Sequence, residues 1–293
     1  MIPPTSIDGT DITGATIDGT DVQEITVDGD VVFSAGPSAG LHYYLVEGSF
    51  NAEVLHYELT TPFNLANKGS PTSNLSVNNN RVDNIEISND GTKFYAVEED
   101  GNNVEQYTLS TPFNLNSASS PTDITTLGTT FSECFDIADN GTKLYMNDSG
   151  EIKQRTLTTP FDITTHSGVN ASLSGESTNG PGDPAFKPDG TKITFGDRFS
   201  PLIVTYDLGT PFDISTASNK TTYDATADSG DSDPSCLKWN GDGTVALVRH
   251  ASPDMVNRYT TTTPYSVSGM SFDQQIFNNP DFAAGGHEFN YTF

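Results

Sequence analysis

With 293 residues the chain can form one large all-β domain or two modest ones; its wealth of Thr, Ser, Asn, Asp and Gly, together with 17 Phe and 11 Tyr, suits many short strands joined by polar turns. Asp and Glu number 39 against 13 Lys and Arg, a formal net charge of −26, which speaks against nucleic-acid binding through phosphates because that needs a basic face. No stretch is apolar enough to span a bilayer, and no run of ten or more residues has the i, i+3, i+4 apolar spacing of a helix, so almost no helix is expected.

In chain order, Met1 to Ser6 lacks the basic and apolar segments of a signal peptide, which predicts a protein made in the cytoplasm without an export signal of its own. Residues 1–35 follow a ten-residue rhythm of Ile7-Asp8-Gly9-Thr10, Ile17-Asp18-Gly19-Thr20 and Val27-Asp28-Gly29-Asp30. Ile25 to Phe33 reads as a hairpin around Asp28-Gly29, the dipeptide that supplies the positive φ of a tight turn. Too short and polar to hold a core alone, this β arm is expected to pack on the rest of the chain, on its own copies or on another protein. Ser34 to Gly40 is a Gly/Ser/Ala/Pro linker, and residues 36–293 form the second domain.

Two phrases interleave through that domain. Thr-Pro-Phe-Asx-Leu/Ile stands at Thr61, Thr111, Thr159 and Thr210, with a weaker copy at Thr263, and the prolines are 50, 48, 51 and 53 residues apart. An Asx-Gly-Thr turn stands at Asp90, Asn140, Asp189 and Asp242, four times only. Each unit reads as four strands. In the second complete unit Glu133 to Ala138 is strand a, Lys143 to Asn147 strand b, Glu151 to Leu157 strand c and Ala171 to Ser174 strand d. Proline ends strand c because it cannot donate to the next ladder bond, and the Phe after it is expected to plug the space between units. Leu41 to Val46 and Val54 to Leu59 look like strands b and c without a strand a, whereas His287 to Phe293 looks like a strand a with nothing after it. Joined, they complete a fifth unit and leave no open sheet edge. The predicted fold is all-β: a five-bladed β-propeller with velcro closure, preceded by the hairpin-rich arm.

Candidate chemistry is sparse. Cys134 and Cys236 fall at equivalent points of non-adjacent units and read as buried free thiols. His42, His56, His166, His250 and His287 fall in different units and show no metal-ligand spacing. No nucleophile elbow or phosphate loop occurs, and Ser88-Asn89-Asp90-Gly91-Thr92 only superficially approaches a sialidase box, so neither catalytic residues nor an enzyme is expected. Counting back from the turn glycines sets Asp83, Glu133 and Asp183 at the start of strand a in three successive units, with Ser235 in the fourth. Acids ringing one channel mouth could hold Ca²⁺, Mg²⁺ or Na⁺, although a hard cation wants more converging oxygens than three; the competing reading is that acid is the default polar residue of this chain. Phe199 and Tyr223, near long Gly/Asp/Pro-rich loops, are candidates for stacking on sugars, set against ordinary packing between blades.

Tyr206 to Ser218, with Phe186-Lys187-Pro188-Asp189-Gly190-Thr191 before strand b, resembles a propeller repeat of tail-fibre-like and surface proteins of tailed viruses and marine bacteria, over residues 41–293. Ile25 to Phe33 is similar to segments of structural proteins from tailed viruses of halophilic archaea. The resemblance implies a turret, tail-fibre or baseplate protein of a virion, assembled in the host cytoplasm and needing no signal. It also implies attachment to other virion proteins through residues 1–35 and recognition of a host-surface glycan or S-layer protein. The acid excess fits strong brine, because multimolar salt shortens screening to about 3 Å or less and relieves self-repulsion; the competing reading is an ordinary acidic extracellular protein. A homo-oligomer is expected, since an arm unable to fold alone calls for assembly. The alternatives are a secreted lectin-like propeller and a glycan-cleaving enzyme.

Overall fold

The computed structural model describes residues 6, 7, 10, 11, 24–27, 30–34, 42–47, 52–59, 69–77, 82–98, 103–125, 127, 134–138, 140–148, 150–174, 181–197, 200–229, 233–251 and 254–278. The chain divides into two compact units, Met1–Ser38 and Ala39–Phe293. In the first, β1 (Ser6–Ile7) pairs antiparallel with β2 (Thr10–Asp11). Likewise β3 (Glu24–Val27) pairs with β4 (Asp30–Ser34), Val27 opposite Asp30, which is the hairpin read around Asp28-Gly29.

The second unit is a five-bladed β-propeller, every blade an antiparallel sheet taken in chain order. The first blade holds β5 (His42–Glu47), β6 (Glu53–Glu58) and β7 (Ser73–Ser76); the second holds β8 (Val82–Ile87), β9 (Lys93–Glu98), β10 (Val104–Thr108) and β11 (Thr122–Ile124). The third runs β12 (Phe135–Ala138), β13 (Lys143–Asp148), β14 (Glu151–Thr156), β15 (Ala171–Ser174). The fourth runs β16 (Ala185–Phe186), β17 (Lys192–Gly196), β18 (Leu202–Leu208), β19 (Ala217–Asp224), then a four-residue helix α1 (Thr226–Ser229). The fifth runs β20 (Pro234–Trp239), β21 (Val245–Ala251), β22 (Asp254–Thr261), β23 (Met270–Asn278). The strand that would close the first blade, read at His287 to Phe293, lies outside the described residues.

The core sits between blades. One apolar cluster joins Tyr44, Val46 and Val54 of the first blade to Ile85, Phe94 and Leu115 of the second, and others join the second to the third, the third to the fourth and the fourth to the fifth. Middle strands are therefore covered on both faces, as in β13, where four consecutive residues from Leu144 to Asn147 are buried; the outermost β15 and β19 largely alternate.

The two repeated phrases meet at one end of the second, third, fourth and fifth blades. Gly91, Gly141, Gly190 and Gly243 have φ of 68°, 83°, 71° and 72°, and the ring of Phe113, Phe161, Phe212 or Tyr265 lies where a glycine Cβ would stand. Each aromatic donates its N–H to the carbonyl of that glycine at 2.9 Å and itself takes a φ between 54° and 62°. These aromatics thus cap the turn of their own blade. The residue that fills the space between blades is the one two positions on: Leu115, Ile163 and Ile214 are at most 1% exposed, each burial worth ~1.5–3 kcal/mol. The plug expected at Phe is therefore displaced by two residues, because the positive φ at Phe turns its ring back over the glycine.

A side chain of the preceding blade tethers the plugs of the third, fourth and fifth blades. Gln106 Oε1 accepts from Ile163 N at 2.9 Å, Gln154 Oε1 from Ile214 N at 3.0 Å, and Thr205 Oγ1 from Val267 N at 3.2 Å. Tyr95 and Tyr145 hydroxyls add bonds to the carbonyls of Phe161 and Phe212 in the following blade.

Candidate functional site in the central channel

Antiparallel order puts the a–b and c–d turns at one end of the ring and the b–c and d–a connections at the other. The turn end repeats the same bonds blade after blade. The other end does not: two residues join b to c at 149–150 and 252–253, but five at 99–103 and 197–201.

The inner strands β8, β12, β16 and β20 lead in from that variable end, and β8, β12, β20 and the residues just before β16 bring polar side chains together. Lys238 Nζ lies 3.4 Å from Glu86 Oε2, both side chains buried, joining the fifth blade to the second, which are not neighbours. Asp183, just before β16 and 2% exposed, accepts from Phe135 N at 2.8 Å and from Asn84 Nδ2. Its own N–H donates to Ser235 O at 2.9 Å. Asp183 therefore ties the inner edges of four blades. Asn84 is fully buried, and its Oδ1 has no hydrogen-bond partner. Asp136 on β12 is half-buried beside the same group.

The electrostatics follow from burial. Asp136 is pushed up to about 8, chiefly by loss of water and further by Glu86 and Asp183, with Lys238 opposing. Asp183 is raised to about 6 by burial, against the pull of Lys238 and the Phe135 amide. Burial disfavours the Lys238 ammonium, but Glu86 and Asp136 outweigh it and hold its proton more firmly than usual. The cluster thus combines an ammonium donor, a carboxyl that keeps its proton near neutrality, carboxylate acceptors and one unpaired amide oxygen. That mixture suits hydroxyl groups, which donate and accept at once.

Of the residues singled out in the sequence, Asp183 is in this cluster. Asp83 lies on β8; Glu133 and Phe199 lie outside the described residues. Asp183 stands seven residues before Gly190, as Asn84 does before Gly91, whereas Asp83 and Glu133 stand eight before their glycines. Asp183 is accordingly level with Asn84. Glu86, Asp136 and Lys238 all stand five before a turn glycine, a signal that counting only to the start of strand a passed over. Among the described residues no group of three or more His, Cys, Asp or Glu is placed to hold a metal ion. Tyr223, on β19, packs edge-on to Tyr259 of the fifth blade at 5.7 Å and donates to Asp228 Oδ2 at 2.9 Å, a contact between blades. Cys134 and Cys236 are buried and are not joined in a disulfide. The histidines do not all fall in different units: His42 and His56 share the first blade, 2.9 Å apart.

Neither a protein-family model nor a curated protein matches the sequence. Solved structures do. A putative 6-phosphogluconolactonase from Bacteroides fragilis superposes with a TM-score of 0.50 at 11% identity, over 84% of this chain and 72% of that one. The periplasmic gluconolactonase of Pseudomonas aeruginosa does so with a TM-score of 0.50 at 12% identity, over 84% and 70%. The shared feature is the ring. These likenesses overturn the expectation that the chain is no enzyme: proteins of this fold carry lactonase names, so the lack of an elbow, phosphate loop or sialidase box is no ground for ruling out activity.

Proposed function

We propose that the chain is a virion attachment protein whose propeller binds a polyhydroxylated host-surface ligand, a glycan, at the variable end of its channel, while residues 1–35 dock on other virion proteins. The observation that carries this reading is the axial cluster: Lys238, Asp136, Asp183 and the unpaired Asn84 Oδ1 offer donors and acceptors together at the base of the end whose connections vary. The virion setting rests on the repeat phrases and the Ile25 to Phe33 segment, and the brine setting on the charge of −26. The test is binding of the labelled full-length chain, in molar salt, to halophilic archaeal cells and to glycans released from them. Saturable binding to one host strain, competed by its released glycan, supports the reading; no binding by folded protein to cells or glycans overturns it.

A second reading is hydrolysis of a lactone or a glycosidic bond, favoured by one observation: Asp136 keeps a proton near neutrality, as a general acid must. Turnover of gluconolactones or of host polysaccharide, with a basic limb near pH 8 and abolished in Asp136→Asn, would establish it. A pH profile unchanged by that substitution would remove it.

A further inference from the structure

His56 occupies, in the first blade, the place that Gln106, Gln154 and Thr205 hold in the next three. It lies opposite Tyr44 and Ser73, as Gln106 lies opposite Tyr95 and Thr122, and Gln154 opposite Tyr145 and Ala171. Those three residues accept directly from the backbone N–H of the next blade's plug. In the first blade the contact is a relay. Leu115 N donates to Ser73 Oγ at 3.1 Å, Ser73 Oγ lies 3.1 Å from His56 Nδ1, and His56 Nε2 lies 2.9 Å from His42 Nδ1. Thr72 Oγ1 is also 3.1 Å from His56 Nδ1. The His42 ring stacks on Phe113 of the second blade, centroids 4.5 Å apart and planes 4° from parallel, and His56 stacks on Tyr44.

The neutral chain satisfies the relay in either of two ways, the Leu115 N–H donating to Ser73 Oγ in both. Either His56 Nε2–H donates to His42 Nδ1 and a hydroxyl donates to His56 Nδ1, or His42 Nδ1–H donates to His56 Nε2 and His56 Nδ1–H donates to Ser73 or Thr72 Oγ. Protonating both rings sets two N–H groups head to head at 2.9 Å; protonating one keeps the bond between the rings but leaves a charge in a largely buried place. Around the pair, β5 contributes the titratable Tyr44 and β6 the carboxylate Glu58, while Thr72 just before β7, Ser73 on β7, and Phe113 and Leu115 from the second blade carry no charge. We infer that the His42–His56–Ser73 relay is a proton-sensitive latch between the first and second blades, closed while both rings are neutral and released by acid, whereas the tethers at Ile163, Ile214 and Val267 rest on Gln106, Gln154 and Thr205, which do not titrate.

The titration agrees in sign. Burial, then His42, pushes His56 down to about 3, and burial lowers His42 against the pull of Glu58. A histidine whose pKa is lower in the closed state stabilises that state above its ordinary pKa of about 6.5 and loses the contribution as pH falls.

The test is amide hydrogen exchange of the full chain in molar salt, corrected for intrinsic rate, comparing Leu115 with Ile163 and Ile214 at pH 7 and pH 5. The latch predicts that Leu115 protection falls by ~30-fold from His56 alone while Ile163 and Ile214 keep theirs. In His56→Gln, which installs the side chain found at Gln106 and Gln154, the pH dependence at Leu115 should vanish with the fold intact. Equal changes at all three amides, or a Leu115 response that survives His56→Gln, would overturn the inference.

Discussion

Asp136 and Lys238 govern how the channel answers pH. Because the Asp136 carboxyl titrates near 8 in the folded chain and near 4 when unfolded, its contribution is intact at low pH and is lost as pH rises through 8. Asp136→Asn removes that loss, so the variant should gain stability over the parent progressively from pH 4 to 8 and hold the gain above it, read from thermal melts across that range. Lys238→Met should act the other way. It removes the ammonium that faces Glu86, Asp136 and Asp183, at a cost of about 3–5 kcal/mol near neutrality that shrinks in acid as the carboxyls take up protons. Urea melts at pH 7 and pH 4 would show both features. These residues were legible in the sequence only as a register. Backbone irregularities between Val82 and Asn84, and between Pro234 and Cys236, break the alternation on which counting along strand a depends. Charges that meet across a channel come from strands far apart in sequence, Glu86 and Lys238 being 152 residues apart, so no local spacing announces them.

The turn phrases work as elements rather than as single residues. Gly190 must hold a φ of 71°, and the ring of Phe212 occupies the space a side chain would need; Gly190→Ala should therefore cost more than about 1 kcal/mol, with the hairpin between β16 and β17 losing exchange protection first. Gln154→Ala leaves the buried Ile214 N–H without its acceptor, and we expect ~1–3 kcal/mol of destabilisation in a urea melt. This level was the most legible. Asx-Gly-Thr marks a hairpin by its own chemistry, and strands β13 to β15 fall within a residue or so of their predicted limits. What escaped was the direction of Phe161 and Phe212, since a positive φ at a bulky residue is set by the packed turn and not by local preference. The pairing of His42 with His56 also escaped, because diagonal neighbours across β5 and β6 are visible only once the register is known.

At the scale of the molecule, a charge of −26 on 293 residues means that salt should stabilise the ring by screening, with melting temperature rising from dilute buffer into molar salt. The ring itself was readable because its phrases recur at about fifty residues; the ligand proposed for the variable end was not, because that end is the part that does not repeat. Hydrogen exchange of the full chain with and without glycan released from halophilic archaeal cells tests the proposed division of labour between the two ends most directly. Binding should protect the inner strands β8, β12, β16 and β20 near the variable end and leave the turns at 88–92, 187–191 and 240–244 unchanged. Protection at those turns instead, or none in the ring at all, would contradict it.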